Sequence, residues 1–406
     1  MERIIYDLVK DRPWLKDLLK KVYQGVFCHT GRQHEIIPSG MVIRPNCFFG
    51  FHDKDPWSAN NKFLLAHQFK GVGNEPEIAS CALEIVVFSG EDWLESRTVG
   101  ATRAWNWQQG AQLQWFGGNI VFNDFVDGGC RAVEVDLAGN LINVHPYGVA
   151  AVSSTDKTMA SFCFKHFGEV MPGYGYDFSG AKAQSNVDRD TLLIFDDTGR
   201  VEVRLNGAGL PDIAPGGQPD GVPFISHALF SPSGSKLAFM RRLAVPGRRR
   251  RSALFIYDRH STTVTRVPFK DMVSHFCWLG DDALFAYANT EDGDGYYHYA
   301  CGAESPCSYS VLLKRVDGHP HADPAGNRVV FDSYPDRSRL QRLAILDIEG
   351  ETVTELAWLY SPMKFWDGKR VDLHPRMRSD GRFVCIDCST TGVRSLATIN
   401  LEYASE

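Results

Sequence analysis

The chain has 406 residues, 43 Lys and Arg against 49 Asp and Glu, and a formal net charge of −6. A mildly acidic balance argues against nucleic acid as the main partner, because duplex binding rests on neutralising phosphates. No apolar run is long enough for a membrane-spanning helix, the N-terminus has no apolar core followed by a small-residue cleavage site, and the 10 Cys are scattered, so reduced thiols and a cytoplasmic location are expected.

The first predicted element is a helix within residues 1–30. Pro13 suits a first helical turn, and Leu15, Leu18, Leu19 and Val22 follow at helical spacing. Packing on one face of the remaining fold is its expected role, with a membrane-surface role as the second reading. The segment HEIIPSGMVIRP then reads as a lone strand.

From there one pattern recurs: a polar residue, often His, then a small turn unit, then a short hydrophobic strand. In chain order the copies open at His52, Gln112, Val149, His227, His275, His319 and His374. The turn Gly falls at Gly234, Gly326 and Gly381 in three of them, and Asp282 holds that place after His275. Each copy is followed by a second hairpin signature, such as RAVEVDLAGNLINV or LAILDIEGETVTEL, with apolar alternation on both sides of a turn. Two strands plus two give four per repeat, the content of a propeller blade. The third and fifth copies are the least regular. The last copy has room for only three strands, and the segment HEIIPSGMVIRP can supply the fourth. The expected fold is therefore all-β: a seven-bladed β-propeller over residues 31–406, closed by an N-terminal strand, behind a short helical segment. Two packed β-domains are the alternative.

A propeller's first strands line its central channel, so His52, His227, His275, His319, His374 and Gln112 are brought toward one ring. Imidazoles there can bind a metal or carry protons; each can equally cap a turn. His275, His319 and His321 form the candidate metal set, because two blades are adjacent and His319 and His321 share a strand face at i, i+2 spacing. His298, Cys301 and Cys307 offer a competing zinc reading with His319, whereas Cys385 and Cys388 lie on opposite faces of one strand and read as structural. The insertion HFGEVMPGYGYDFSG displays Tyr174 and Tyr176, either as acid–base groups or as an aromatic packing loop. Trp107, with Gln112, Gln114 and Asn123 nearby, combines flat apolar faces and amide donors suited to a sugar; core packing is the plain alternative. Arg241, at a strand end, can grip a carboxylate bidentately. Arg241, Arg242 and the run Arg248 to Arg251 form a basic hairpin loop that can attract a polyanion or be a solvated loop tip.

The strings WNWQQGAQLQW, PGYGY, SHFCW, DGHPHADPAGNRVVFDSYPD and RVDLHPRMRSDGRFVCIDCSTTGVR resemble the oligogalacturonate-lyase-like and ulvan-lyase-like propellers, from about His52 to the end. That resemblance implies β-elimination on an acidic, uronate-containing oligosaccharide or polysaccharide. It implies Tyr176, or else Tyr174, as the proton-transfer residue, His227 and Arg241 as carboxylate contacts, and one divalent metal (Mn, Ca or Zn) at His275, His319 and His321. Gln112, Gln114, Asn123, Trp107 and His52 would face the sugar. Two departures stand out: Val316 replaces the Gln three residues before His319, and Gln112 and Asn123 stand where ulvan lyases carry second-blade histidines. A non-catalytic glycan-binding propeller in exopolysaccharide metabolism is the alternative function.

Overall fold

The computed structural model describes residues 13–71, 75, 81–153, 155–178, 185–213, 221–312 and 316–403. Its strands form seven antiparallel sheets, one per blade. Blade 1 holds β2 (Cys47–Phe48), β3 (Leu64–Gln68), β4 (Leu83–Ser89) and β5 (Glu95–Thr102). Blade 2 holds β6 (Gln114–Phe116), β7 (Asn119–Val126), β8 (Gly129–Val135) and β9 (Leu141–Val144). Blade 3 holds β10 (Ala151–Ser153), β11 (Thr158–Phe162), β12 (Thr191–Phe195) and β13 (Val201–Asn206); a helix, α2 (Phe164–Val170), lies in the insertion between β11 and β12. Blade 4 holds β14 (Val222–Phe230), β15 (Lys236–Ala244), β16 (Arg251–Asp258) and β17 (Thr263–Arg266).

Blade 5 has three strands among the described residues: β18 (Val273–Leu279), β19 (Ala283–Thr290) and β20 (Gly293–Ala300). Blade 6 holds β21 (Pro320–Ala322), β22 (Arg328–Asp332), β23 (Leu340–Asp347) and β24 (Thr352–Tyr360). Blade 7 takes β25 (Arg376–Met377), β26 (Phe383–Cys388) and β27 (Ser395–Asn400) from the C-terminal end and β1 (Met41–Pro45) from the N-terminal end. The β1–β27 pairing runs from Met41 opposite Ile399 to Pro45 opposite Ser395, so the predicted closing strand is where the sequence puts it.

Strand burial follows from position in a blade. The second and third strands are covered on both faces and read as continuous apolar runs, as in TLLIF of β12, which is buried throughout. The outermost β13 alternates half-buried and exposed residues. The core lies between blades: Met240 and Ile256 of blade 4 pack with Phe276 and Leu284 of blade 5. Turns after the inner strands use Gly234, Gly326 and Gly381 at φ +77°, +75° and +69°, which a side chain adopts only with strain. In blade 5 the left-handed residue is Gly280 (φ +61°), two positions before the predicted Asp282.

The N-terminal helix α1 (Pro13–Gly31) does sit against the ring, but not through its leucines. Gln24 is buried and its amide donates to Pro335 O at 2.8 Å and Asp336 O at 2.6 Å, while Arg339 Nη1 donates to Gln24 Oε1 at 3.0 Å. Leu18, Leu19 and Val22 are exposed. The expectation from apolar spacing is corrected: a polar seam docks the helix on the β22–β23 loop.

Candidate functional site

Histidines from five blades do converge. The inner strand of blade 1 ends at Phe48, earlier than the repeat suggests, and the chain then enters the channel. Asp387 Oδ1 and Oδ2 accept from the N–H groups of Phe49 (2.9 Å) and Gly50 (3.0 Å), and Arg376 ties the same loop by donating to the carbonyls of Gly50 and Phe51. Phe51 is thereby held among the imidazoles, its ring centroid 4.9 Å from His227, 5.0 Å from His374, 5.8 Å from His319 and 5.9 Å from His275. His52 follows, its Nδ1 2.6 Å from Pro320 O and its ring 5.4 Å from that of His319.

The backbone turns these side chains inward by a repeated device. Gln112, His227 and His374 adopt φ of +56°, +53° and +43°, a region disfavoured for residues with a Cβ. The β14–β15 register breaks between Ser226 and Leu229, and the β18–β19 register between Val273 and His275. Strain of order 1–3 kcal/mol per residue, recurring at one repeat position, fits a built site better than chance.

Three residues stand out as a metal-binding group. One ligand atom from each of His319, Asp372 and His374 lies within 4.8 Å of the others. His319 Nε2, His374 Nε2 and Asp372 Oδ1 are buried without a hydrogen-bond partner, as is His52 Nε2. Asp332 lies behind His319, 2.9 Å from Nδ1, and accepts from the N–H of His374 at 3.0 Å. A carboxylate behind an imidazole is the usual support of a metal-binding His. Burial works against a charged His319, but Asp332 and the nearby Asp372 and Asp317 outweigh it and raise its pKa. Burial, then the neighbouring His319, holds His374 and His52 well below the ordinary imidazole range. Burial favours protonation of Asp372, but Arg370, donating through Nε at 2.5 Å, and His319 hold its pKa down. The donor set, two neutral-capable imidazoles and one carboxylate with free atoms facing each other, fits a divalent cation.

The predicted metal set is therefore regrouped. His319 is in the cluster. His275 is a neighbour, with ring centroids 4.1 Å apart, but its Nδ1 faces Asp317 Oδ1 at 3.2 Å. His321 is turned elsewhere: its Nδ1 accepts from Met377 N at 3.2 Å, and burial, helped by Arg376, pushes its pKa to about 3. The cysteine alternative separates too, because Cys307 Sγ lies 3.6 Å from His298 Nδ1 while His319 belongs to the channel. Cys385 and Cys388 do pack into different inter-blade cores.

The tyrosines divide. Tyr176 is in the blade 2–3 core, its ring stacked on Phe164 at 5.0 Å and its hydroxyl accepting from Asn123 Nδ2 at 3.0 Å; burial pushes its pKa far up. That setting opposes the expected base role. Tyr174, from the same insertion, faces the channel, its ring 6.3 Å from His227 and its hydroxyl accepting from Arg370 Nη2. The arginines divide likewise, since neighbours on a strand point to opposite faces. Arg241, expected on the carboxylate, is consumed by Asp190, with Nη2 to Oδ2 at 2.7 Å. Arg242 lies on the channel side, donating to Ser274 O at 3.3 Å, with Nε unpartnered and its pKa lowered to about 10 by burial and then Arg250.

Three predicted sugar contacts are structural. Trp107 is covered by Phe48 (5.3 Å) and by the Arg394 guanidinium (4.3 Å). Gln114 bridges Gln112 O and Val152 N, and Asn123 bridges to Val149 N and O. Gln112 remains near the channel through Gln109: its Nε2 donates to Gln109 Oε1 at 2.8 Å, and Gln109 Nε2 lies 3.2 Å from His227 Nε2. Sequence reasoning missed Phe51, Arg370, Asp332 and Asp372, and placed Arg242 only in the basic hairpin loop. Asp372 had a signal, because Asp317-x-His319 and Asp372-x-His374 repeat the same acid two residues before the blade-opening His.

No protein-family model matches the sequence, and no curated protein does. Solved structures do. An oligogalacturonate lyase from Vibrio parahaemolyticus is 12% identical with a TM-score of 0.59, covering 91% of this chain and 97% of that one. An oligogalacturonate lyase in complex with manganese is 14% identical with a TM-score of 0.61, covering 92% and 97%. A structure from a study of two prolyl endopeptidases is 10% identical with a TM-score of 0.52, covering 99% of this chain and 53% of that one. The chain has the seven-bladed fold of the oligogalacturonate lyases.

Proposed function

We propose that the protein is a lyase that cleaves a uronic-acid-containing oligosaccharide by β-elimination in the axial pocket. One observation carries this reading: buried nitrogen and oxygen atoms of His52, His227, His319, Asp372 and His374 converge without partners beside the cations Arg242 and Arg370. Such atoms are costly to bury unless a ligand completes them. The lyase neighbours, one of them bound to manganese, agree in fold and suggest the chemistry.

His319, Asp372 and His374 would hold the divalent ion. Bound there, it supplies charge neutralisation for the sugar carboxylate, which acidifies the adjacent C5–H. Arg242 adds a second positive charge on that carboxylate. His227 takes the C5 proton. Burial, then Arg242 and His275, keeps it neutral, and turning the Gln109 and Gln112 amides together lets His227 Nε2–H donate to Gln109 Oε1, leaving Nδ1 with a lone pair. The C5–H electrons form the C4–C5 double bond, the C4–O bond breaks, and Tyr174 gives its proton to the leaving oxygen.

The second reading, a binding-only glycan propeller, is favoured by Phe51, whose ring takes an axial place among the imidazoles. Incubation with oligogalacturonate, ulvan and other uronate glycans, with and without Mn²⁺, separates the two. A rise in the ultraviolet absorbance of a conjugated 4,5-unsaturated uronate that His227→Ala abolishes supports the lyase. No rise on any of them, together with measurable glycan binding, makes the protein a binder.

A further inference from the structure

We propose that α1 is a membrane-docking helix that lays the protein on an anionic phospholipid surface. A surface helix ordinarily buries its apolar face and shows its polar one; α1 does the reverse. Lys20, Gln24, Phe27 and Gly31 recur at three- and four-residue spacing on the propeller side: Lys20 Nζ lies 5.7 Å from the Tyr334 ring, Gln24 is buried, Arg337 stacks on Phe27 at 5.5 Å, and a Cβ at Gly31 would strike Ser338 O. Half a turn away, Trp14, Leu18, Leu19, Val22 and Val26 form an outward stripe, each 42–66% exposed. At 100° per residue this stripe lies opposite the docking seam.

The occupant is set by charge and area. The helix PWLKDLLKKVYQGVFCHTG carries three Lys to one Asp in a chain of net −6; Lys20 is turned to the ring, and the exposed Lys21 lies beside Trp14 at the edge of the stripe. Apolar side chains including a Trp, combined with lysines, make an interfacial helix that lies flat among acidic headgroups. It does not span, since among the described residues no helix is long and apolar enough to cross a membrane. A second copy is the poorer fit. The five side chains offer on the order of 500 Å², less than the roughly 800 Å² per partner of a stable interface, and two such helices would bring like charges together. The polar docking seam leaves the stripe outward with the ring intact, so the helix can meet lipid without unfolding anything.

The full chain is floated with phosphatidylcholine vesicles and with vesicles containing phosphatidylglycerol, at low and high salt. Binding to the anionic vesicles only, weakened by salt and reduced at least tenfold by the double substitution Leu18→Glu and Val22→Glu, is expected. Brominated lipid should quench Trp14, read as the difference between wild type and Trp14→Phe. Absence of flotation on anionic vesicles, or equal flotation of the double variant, overturns the proposal. So does self-association by analytical ultracentrifugation that the double variant abolishes while vesicles bind nothing, which assigns the stripe to a second copy. Elimination activity on soluble oligosaccharide is unaffected by these changes, so this test and that of the lyase reading fail separately.

Discussion

Asp332 accepts two hydrogen bonds from His319, one from the backbone N–H at 2.7 Å and one from ring Nδ1 at 2.9 Å. A third, from the N–H of His374, fixes the adjoining blade to the same carboxylate. One buried residue thus sets the spacing of two imidazoles whose other nitrogens face the channel. Asp332→Asn keeps the shape but weakens that support, and Mn²⁺ affinity measured by calorimetry should fall roughly 10- to 100-fold. Unchanged affinity would place the ion elsewhere.

Tyr174 and Tyr176 should behave oppositely when converted to Phe. Tyr176→Phe removes the contact with Asn123 and should cost about 1 kcal/mol of stability in urea unfolding while leaving turnover near wild type. Tyr174→Phe removes the group held by Arg370 and should lower kcat by roughly 100-fold or more with little effect on stability. The reverse pattern would return the acid role to Tyr176.

Much of this was legible in the sequence, for a definite reason. A blade that must turn at the same point each time repeats its turn residue, so Gly234, Gly326 and Gly381 announced themselves, and the His before each turn marked the channel. What was not legible depends on strand pleat and on contacts between blades. Arg241 and Arg242 are neighbours in one strand, and only the pleat decides which meets Asp190 and which meets the channel. Tyr174 and Tyr176 lie in a turn of the insertion, and only contacts between blades send one to the channel and the other onto Phe164. Phe51 belongs to an irregular loop pinned by Asp387 of the last blade, 337 residues away from Gly50, which no local pattern encodes.

The two arginines give a third contrast. Arg241→Ala strands the Asp190 carboxylate and should cost about 1–3 kcal/mol of stability. Arg242→Gln should leave stability much closer to wild type and raise KM for a uronate oligosaccharide by roughly 10- to 100-fold, the worth of a lost charge-assisted hydrogen bond. An unchanged KM would remove Arg242 from carboxylate recognition.

His67 predicts how stability depends on pH. It is buried against Phe48, with its Nε2 accepting from Ala111 N at 3.0 Å, and burial, then Arg376, pushes its pKa down to about 3 from 6.5. The folded chain therefore refuses a proton that the unfolded chain accepts. Its contribution is complete above pH 6.5 and is lost as pH falls toward 3, at about 1 kcal/mol per pH unit. His67→Gln, whose amide oxygen can still accept from Ala111, should flatten the decline in urea-unfolding free energy between pH 6 and 4 by about that slope. Equal slopes for the two proteins would refute the assignment.

The pairing of β1 with β27 has a consequence for biosynthesis. β1 leaves the ribosome before every other strand described, yet finds its hydrogen-bonding neighbour only after Ser395–Asn400 has been made. Six sheets can assemble before β27 is made, but the closing one must wait, leaving apolar edges uncovered until β27 emerges. Nascent chains should therefore depend on chaperone shielding until β27 has emerged, and a chain stalled just before Ser395 should stay protease-sensitive despite carrying nearly every strand described.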